Sequence, residues 1–197
     1  MIPGYNQKVV VDCRSGWIVF QKRTSNSVNF FKGWAEYKNG FGDKANTWLG
    51  NDKINKLTKA GYTQLRIVLK EADGHTGYGE WNDFIVGNEA KKYQLGVGKM
   101  TGGNIGNNFG GMNGLFFSTK DRDNDKYKGH CANAYKAGWW YSNCHSANLN
   151  GYYGPNNNGK AGSNGCGATC IHYYGWKGKG SYKHNKSLKE SWMMFKK

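Results

Sequence analysis

The feature that most constrains this chain is a long segment, residues 101–170, which is dense in Gly, Asn, Ser and Lys and has almost no helical periodicity. Irregular segments of that length in an ordered protein are either held by cross-links or bound ions or have a functional role. This one contains four of the five cysteines and a run of alternating aspartates. We therefore expect one domain over residues 1–197, with a sheet and helix region over 1–100 and a loop-rich functional region over 101–197.

Strands are predicted in the first hundred residues by runs that alternate apolar and polar side chains. Such runs occur in WIVFQKR, YTQLRIVLKEA and GYGEWNDFIVG. The chain is 38% hydrophobic and 15% aromatic, so aromatic rings must supply much of the core. No run of apolar residues approaches the length of about 18 that is needed to span a membrane.

Two short helices are predicted in the same region. Trp34 and Tyr37 recur at helical spacing, with Asn29 or Ser27 available as the cap. A second helix is predicted in NDKINKLTKAG, with Asn51 as its cap. The region therefore combines strands with short helices.

The five cysteines favour an oxidising, extracellular compartment. No Cys-x-x-Cys pair faces another Cys or His pair at the spacing of a zinc finger, so oxidised pairs are the better interpretation. Cys131 and Cys144 stand thirteen positions apart, and a disulfide between them would close a small ring. By the chain-entropy model such a ring contributes about 3 kcal/mol. We therefore expect a secreted protein.

The formal net charge of +15 favours contact with polyanions. Only four of the 28 basic residues are arginines, whereas base readout in DNA relies on arginine forks, so we expect no sequence-specific nucleic-acid binding. A group of lysines near the C-terminus is accompanied only by Glu190 and suits lipopolysaccharide or teichoic acid, although a solvated face explains it equally well. These residues are Lys177, Lys179, Lys183, Lys186, Lys189, Lys196 and Lys197.

The acidic loop, residues 121–129, reads DRDNDKYKG. Asp121, Asp123 and Asp125 occupy alternate positions, and carboxylates that close repel one another unless a cation lies between them. Hard oxygen donors suit calcium, which accepts irregular geometry and backbone carbonyls. An EF-hand is excluded because its sixth position is Lys126 rather than Gly. The loop predicts a different Ca²⁺ site, with a solvated acidic turn as the alternative.

The string FSTKDRDNDKYKGHCANAYKAGWWYSNCHSANLNGYYG resembles the signature of the fibrinogen C-terminal domain family, which includes fibrinogen chains, ficolins and tachylectins. GWIVFQKR, VNFFKGWAEYKNGFG and TWLGNDKINKLT are similar, in the same order, to the first half of that family, and the resemblance covers about residues 11–185. It implies an α+β fold: a central twisted antiparallel sheet with short helices, joined to a loop-rich lobe that binds calcium and ligand.

The resemblance also implies which residues bind the ion. The ligands would be the side chains of Asp123 and Asp125 and the carbonyl oxygens of Tyr127 and Gly129, with water completing the shell. Asp121 would then support the site without touching the ion. The implied cofactor is Ca²⁺.

A pocket for an acetyl group is implied around the second cysteine of the pair. Its residues would be Tyr135, Asn143, Cys144 and His145, and the Asn143–Cys144 peptide bond would be cis. The N–H groups of Cys144 and His145 would bind the acetyl oxygen while Tyr135 covers the methyl group. A few polar anchors in an apolar cup are typical of small-ligand sites.

The C-terminal part departs from the family pattern. Members that bind acetyl groups complete the pocket with two more aromatic rings, where small residues or lysine stand here. Tyr173, Tyr174 or Trp176 would have to supply a ring from a shifted position. Cys166 and Cys170, four positions apart, are additions and predict a local disulfide that reshapes the pocket wall.

These features predict a calcium-dependent pattern-recognition lectin of innate immunity that binds acetylated glycans, lipopolysaccharide, peptidoglycan or teichoic acid on microbial surfaces. The alternative is a protein-interaction module that accepts a peptide or a receptor loop in the same pocket. An enzyme is not expected, because the sequence has no His-Glu-x-x-His or Gly-x-Ser-x-Gly motif, and His145 with a nearby Asp would be the sole acid–base pair.

Cys13 is a second departure from the family pattern. Its family counterpart pairs with a cysteine further upstream, and this sequence has none there. We therefore expect a fragment of a longer, homo-oligomeric protein, in which several weak pockets act together.

Overall fold

The computed structural model describes residues 12–154, 167–176 and 187–197. The strands of these residues are β1 (Asp12–Arg14), β2 (Trp17–Arg23), β3 (Phe41–Gly42), β4 (Asn46–Trp48), β5 (Gln64–Lys70), β6 (Thr76–Trp81), β7 (Ile85–Val86), β8 (Leu95–Gly96), β9 (Met100–Gly103), β10 (Phe117–Ser118), β11 (Trp139–Trp140), β12 (Ala147–Asn148), β13 (His172–Tyr173) and β14 (Glu190–Lys196). The α-helices are α1 (Trp34–Asn39), α2 (Asn51–Lys59) and α3 (Cys131–Ala134). Short 3-10 turns lie at Glu89–Lys91, Gly110–Met112 and Gly167–Thr169.

One antiparallel sheet of eight strands dominates the fold. Its order is β3–β4–β2–β14–β5–β6–β9, with β1 paired to the start of β2. The last strand of the chain, β14, lies between β2 and β5 and pairs antiparallel with both. The predicted α+β class, a central antiparallel sheet with short helices, is confirmed.

Aromatic rings fill the space behind the main sheet, as the composition predicts. Phe20 of β2 stacks on Phe195 of β14 and on Phe84, with ring centroids 5.0 Å and 5.5 Å apart. Strand β5 buries every second side chain against the same cluster. The middle strands are therefore joined both by backbone hydrogen bonds and by stacked rings.

A second set of rings joins the main sheet to the loop-rich region. Trp48 of β4 lies 5.8 Å from Phe117 and 6.0 Å from Trp140, centroid to centroid. Tyr37 of α1 packs against Gly138, where a Cβ atom would lie 2.4 Å from the Tyr37 ring. The two regions therefore share one aromatic core.

The helices begin at residues other than those predicted. The residue before α1 is Gly33, so the prediction of Asn29 or Ser27 as its cap was wrong. The acceptor comes instead from a residue 87 positions along the chain, because the Trp34 N–H donates to Asp121 Oδ1 at 2.9 Å. Asn51 is the first residue of α2 and not its cap. Its buried side chain accepts a hydrogen bond from the Trp48 indole at 3.2 Å.

Regular elements become short between β9 and β14. Strand β10 pairs with β11, and β12 pairs with β13, each as a two-stranded sheet. The rest of the backbone that the structure describes between β9 and β14 is held by turns and by side-chain hydrogen bonds. In the parts of the chain that the structure describes, no helix has the length and apolar character needed to cross a membrane.

Candidate calcium loop and ligand pocket

The acidic loop is attached to the main sheet by its first aspartate. Both carboxylate oxygens of Asp121 accept the Trp34 N–H, at 2.9 Å and 3.2 Å, and Oδ1 also accepts the Thr119 hydroxyl at 2.6 Å. Burial acts to raise the pKa of Asp121, but the hydrogen bonds from Thr119 and Trp34 outweigh it and leave the pKa below its ordinary value. Asp121 therefore caps α1, a role that the sequence did not suggest.

The next two aspartates lie together with a histidine. One ligand atom each of Asp123, Asp125 and His130 lies within 4.8 Å of the others. Asp125 Oδ1 accepts the Tyr127 N–H and Oδ2 accepts the Cys131 N–H, both at 2.9 Å. The Asp125 N–H in turn donates to Asp123 Oδ1 at 3.1 Å. The carboxylates are therefore oriented by the backbone of the loop itself.

The hydrogen bonds that Asp125 accepts do not offset the effects of burial and of the Asp123 carboxylate on its pKa. Burial raises the pKa of Asp125, although the N–H groups of Cys131 and Tyr127 act to lower it. The neighbouring Asp123 carboxylate adds to the rise, first through a side-chain hydrogen bond and then through its negative charge. A divalent cation between the two carboxylates would remove this conflict.

The donor set of the loop fits calcium. Two carboxylates and the backbone carbonyl groups of an irregular loop are the hard oxygen ligands that Ca²⁺ prefers. Tyr127 is 47% exposed, and a Cβ atom at Gly129 would lie 2.7 Å from its ring, so that the backbone of Gly129 lies close under the tyrosine. The predicted ligands Asp123, Asp125, Tyr127 and Gly129 thus lie on one short loop.

A disulfide connects this loop to the predicted pocket. Cys131 and Cys144 are bonded, with Cα atoms 5.5 Å apart. The Lys126 N–H donates to the carbonyl of Ser142 at 3.1 Å, which joins the same two segments a second time. The Asn143–Cys144 peptide bond is cis.

Three aromatic or imidazole rings surround His145, the residue that follows the second cysteine. This ring cluster consists of Tyr135, Tyr141, His145 and His172. The Tyr135 and His145 rings meet edge to face with centroids 4.4 Å apart, and His145 lies 6.0 Å from Tyr141 and 5.9 Å from His172. Burial, followed by the proximity of His172, lowers the pKa of His145 to about 4. The His145 imidazole is therefore neutral at pH 7.

Two of the three rings predicted to complete the pocket are buried. Tyr173 is fully buried, and its hydroxyl donates to the Gly106 carbonyl at 2.9 Å. Trp176 is 1% exposed and stacks on His75 with centroids 5.5 Å apart. Tyr173 and Trp176, which were predicted to contact a ligand, are thus both packed in the core. Tyr174, 48% exposed and 6.5 Å from His172, is the ring of this segment that faces solvent.

Two members of the ring cluster were not singled out from the sequence. Tyr141 follows the Trp139–Trp140 pair and is buried, with its hydroxyl donating to the Ala137 carbonyl at 3.2 Å. His172 reaches the cluster because β13 pairs with β12, which places His172 opposite Asn148. That pairing joins segments on either side of residues 155–166 and leaves no periodic signal in the sequence.

Some predictions fall outside the described residues. Cys170 is in a disulfide, but Cys166 is not among the residues that the structure describes. The same is true of four of the C-terminal lysines, at positions 177, 179, 183 and 186. Of the others, Lys196 lies over the Trp17 ring at 4.7 Å and Lys197 over the Tyr62 ring at 5.4 Å.

A large antiparallel sheet joined to a disulfide-bonded acidic loop defines a fibrinogen-like binding domain. The model of the C-terminal globular domain of fibrinogen beta and gamma chains matches residues 9–197, and the chain belongs to that family. Its similarity to Ryncolin-4 of Cerberus rynchops is 48% identity over 139 residues, which is 70% of this chain and 40% of that protein. The match thus covers less than half the length of that relative.

Solved structures agree with this assignment. The fibrinogen-like globe domain of human ANGPTL2 is 33% identical, with a TM-score of 0.88, over 100% of this chain and 89% of that one. The corresponding domain of human ANGPTL6 is 31% identical, with a TM-score of 0.83, over 91% and 77%. Lamprey fibrin D-dimer, complexed with the peptide Gly-His-Arg-Pro-amide, is 31% identical, with a TM-score of 0.83, over 94% and 63%. The chain is therefore a binding module and not an enzyme.

Proposed function

We propose that this chain is the calcium-dependent ligand-binding domain of a secreted pattern-recognition lectin, one that binds acetylated glycans on microbial surfaces. The relationship to Ryncolin-4 supports a lectin role. The Cys131–Cys144 disulfide supports an extracellular location, since such bonds persist in oxidising compartments. Lipopolysaccharide, peptidoglycan and teichoic acid are the microbial polymers that suit a net charge of +15.

The observation that carries the proposal is the short connection between the acidic loop and the ring cluster. Asp125 accepts the N–H of Cys131, Cys131 is bonded to Cys144, and the next residue, His145, lies against Tyr135. An ion held by Asp123 and Asp125 would fix this connection. Calcium would then act by holding the pocket backbone in its binding shape rather than by touching the sugar.

The ring cluster has the chemistry that an acetyl group requires. The half-buried Tyr135 ring offers an apolar surface for the methyl group, and the neutral His145 imidazole adds no charge that would need solvation. Backbone N–H groups of Cys144 and His145 would donate to the acetyl oxygen, while the exposed Tyr174 is the nearby ring able to cover the sugar. A cup of this kind selects a small neutral group.

Binding to beads that carry N-acetylglucosamine tests the proposal. Wild-type protein should bind in calcium, and binding should be lost on chelation, in Asp123→Asn and in Tyr135→Ala. The matched controls are Asp83→Asn, at an exposed carboxylate, and Tyr78→Ala, at a tyrosine that is 44% exposed on β6. Retention that is unchanged by chelation would contradict the calcium role, and retention by Tyr135→Ala would contradict the pocket.

A second candidate function is supported by one comparison. The similar lamprey fibrin structure contains a bound peptide, so the same lobe of this chain is a candidate peptide site. Competition separates the two functions: an N-acetylated sugar should displace protein from the beads, whereas Gly-His-Arg-Pro-amide should not. The opposite result would favour the protein-interaction module.

We further propose that the domain works within a homo-oligomer. Cys13 on β1 is exposed and has a free thiol, which is available for a bond to another chain. Several weak pockets on one particle bind a microbial surface far more tightly than one pocket does. Electrophoresis of the full-length protein should show a multimer without reductant and a smaller species with it.

A further inference from the structure

His130 has a buried donor atom that the fold does not use. It lies between the acidic loop and α3, and its Nδ1 atom is shielded from solvent without a hydrogen-bond partner among the described residues. A buried polar atom in that state costs free energy unless a ligand satisfies it. The same histidine offers a ring nitrogen within 4.8 Å of ligand oxygens of Asp123 and Asp125. The imidazole of His130 therefore lies beside the two carboxylates of the candidate metal site.

An imidazole nitrogen beside two carboxylates is a different donor set from the one that calcium prefers. Calcium binds oxygen ligands, whereas imidazole favours zinc and the later transition metals. Cys131, the next residue, is bonded to Cys144 and has no thiolate to offer, so that His130 is the nitrogen or sulfur donor at this position. Two carboxylates and one imidazole supply three protein ligands, and water completes the tetrahedral shell of Zn²⁺.

We propose that Asp123, Asp125 and His130 form a zinc site that competes with calcium for the acidic loop. The two ions would share the carboxylates of Asp123 and Asp125 but differ in their remaining ligands. Calcium would take the carbonyls of Tyr127 and Gly129, and zinc would take the imidazole of His130. The proposal depends on the same loop as the calcium site but not on any glycan being bound.

Calorimetric titration of protein without a histidine tag provides the test, using calcium alone, zinc alone, and zinc added to calcium-saturated protein. His130→Asn should weaken zinc binding at least about tenfold, since loss of even an outer partner of a metal ligand costs that much, and should leave calcium binding unchanged. Asp123→Asn should weaken both. His75→Asn is the matched control, because His75 stacks on Trp176 and lies outside the cluster. Far-UV circular dichroism checks that each variant folds.

The outcomes separate this inference from the proposed function. Zinc binding that is unchanged in His130→Asn, or that does not displace calcium, would overturn the inference and leave the calcium proposal intact. Calcium binding that is absent while zinc binds through His130 would overturn the calcium proposal and leave the zinc site intact. Zinc binding that is lost in His75→Asn but kept in His130→Asn would place the ion elsewhere and would also overturn the inference.

Discussion

The main sheet and the segment from 117 to 154 are stabilised in different ways. Strands β2, β14 and β5 are joined along most of their length by ladder hydrogen bonds, and Phe20 of β2 stacks on Phe195 of β14. The segment has strands of two residues, and its shape depends on Asp121, Asp125 and a disulfide. We therefore expect the sheet to supply most of the free energy of unfolding, and the segment to respond to an ion bound at Asp123 and Asp125.

The largest expected effect comes from the centre of the sheet. Phe195→Ala removes a fully buried ring that stacks on Phe20 and packs against Phe84, and should lower the free energy of unfolding by about 3–5 kcal/mol. Urea denaturation measures the change. Tyr78→Ala, at an exposed ring on β6, should change it by no more than about 0.5 kcal/mol. Equal losses in the two variants would contradict the description of β14 as the central strand of the core.

The next effect comes from the disulfide of the segment. Replacing Cys131 and Cys144 together by Ser should lower the free energy of unfolding by about 3 kcal/mol on the chain-entropy model. It should also weaken calcium binding, because Cys131 donates its N–H to Asp125 and the bond fixes its position. Cys13→Ser, at the exposed free cysteine, is the control. Unaltered calcium affinity in the double variant would show that the loop is organised without the disulfide.

Calcium itself should then raise stability by a slightly smaller amount. An ion that binds the folded chain alone, at about 100 times its Kd, adds about 2.7 kcal/mol to the free energy of unfolding. Thermal melts with calcium and with chelator measure this difference. Asp123→Asn should abolish it and Asp83→Asn should not. A rise in the melting temperature that survives in Asp123→Asn would place calcium at another site.

In both regions, the sequence predicts the features that depend on neighbouring residues and does not predict those that depend on distant ones. Strand β5 follows from the alternation of apolar and polar residues, which depends on neighbouring residues alone, and its burial alternates accordingly. The pairing of Asp123 with Asp125 is likewise local, since the two residues lie on one short loop and the Asp125 N–H donates to Asp123 Oδ1. The position of β14 in the sheet, and the burial of Tyr173, depend on contacts between distant segments and leave no periodic trace.

Asp121 illustrates the limit most clearly. Its place in the alternating triplet suggested a supporting role at the metal, yet its carboxylate is directed to the N–H of Trp34. The first N–H groups of a helix have no acceptor within the helix, and Gly33 has no side chain to provide one. Nothing near Gly33 in the sequence identifies the residue that does so. The acidic loop and the main sheet are thus joined through a cap that sequence spacing does not reveal.

The smallest expected effect tests the contact between Asp121 and the start of α1. Asp121→Ala, measured in chelator, should lower the free energy of unfolding by about 1 kcal/mol at pH 7, the usual cost of losing a helix cap. Asp121→Asn keeps an acceptor oxygen and should lose less. The folded-state pKa of Asp121 lies below that of an unfolded aspartate. Its contribution to the free energy of unfolding is therefore complete above the ordinary aspartate pKa, and it is lost as the pH falls from there through the lower pKa of the folded state.

Urea denaturation over a series of acidic pH values measures this contribution. Wild type should lose stability in that range more steeply than Asp121→Asn, since the amide does not titrate. Parallel curves for the two proteins would mean that Asp121 remains solvated in the folded state. The acidic loop would then be attached to the main sheet by the shared rings of Trp48, Phe117 and Trp140 and not by the cap of α1.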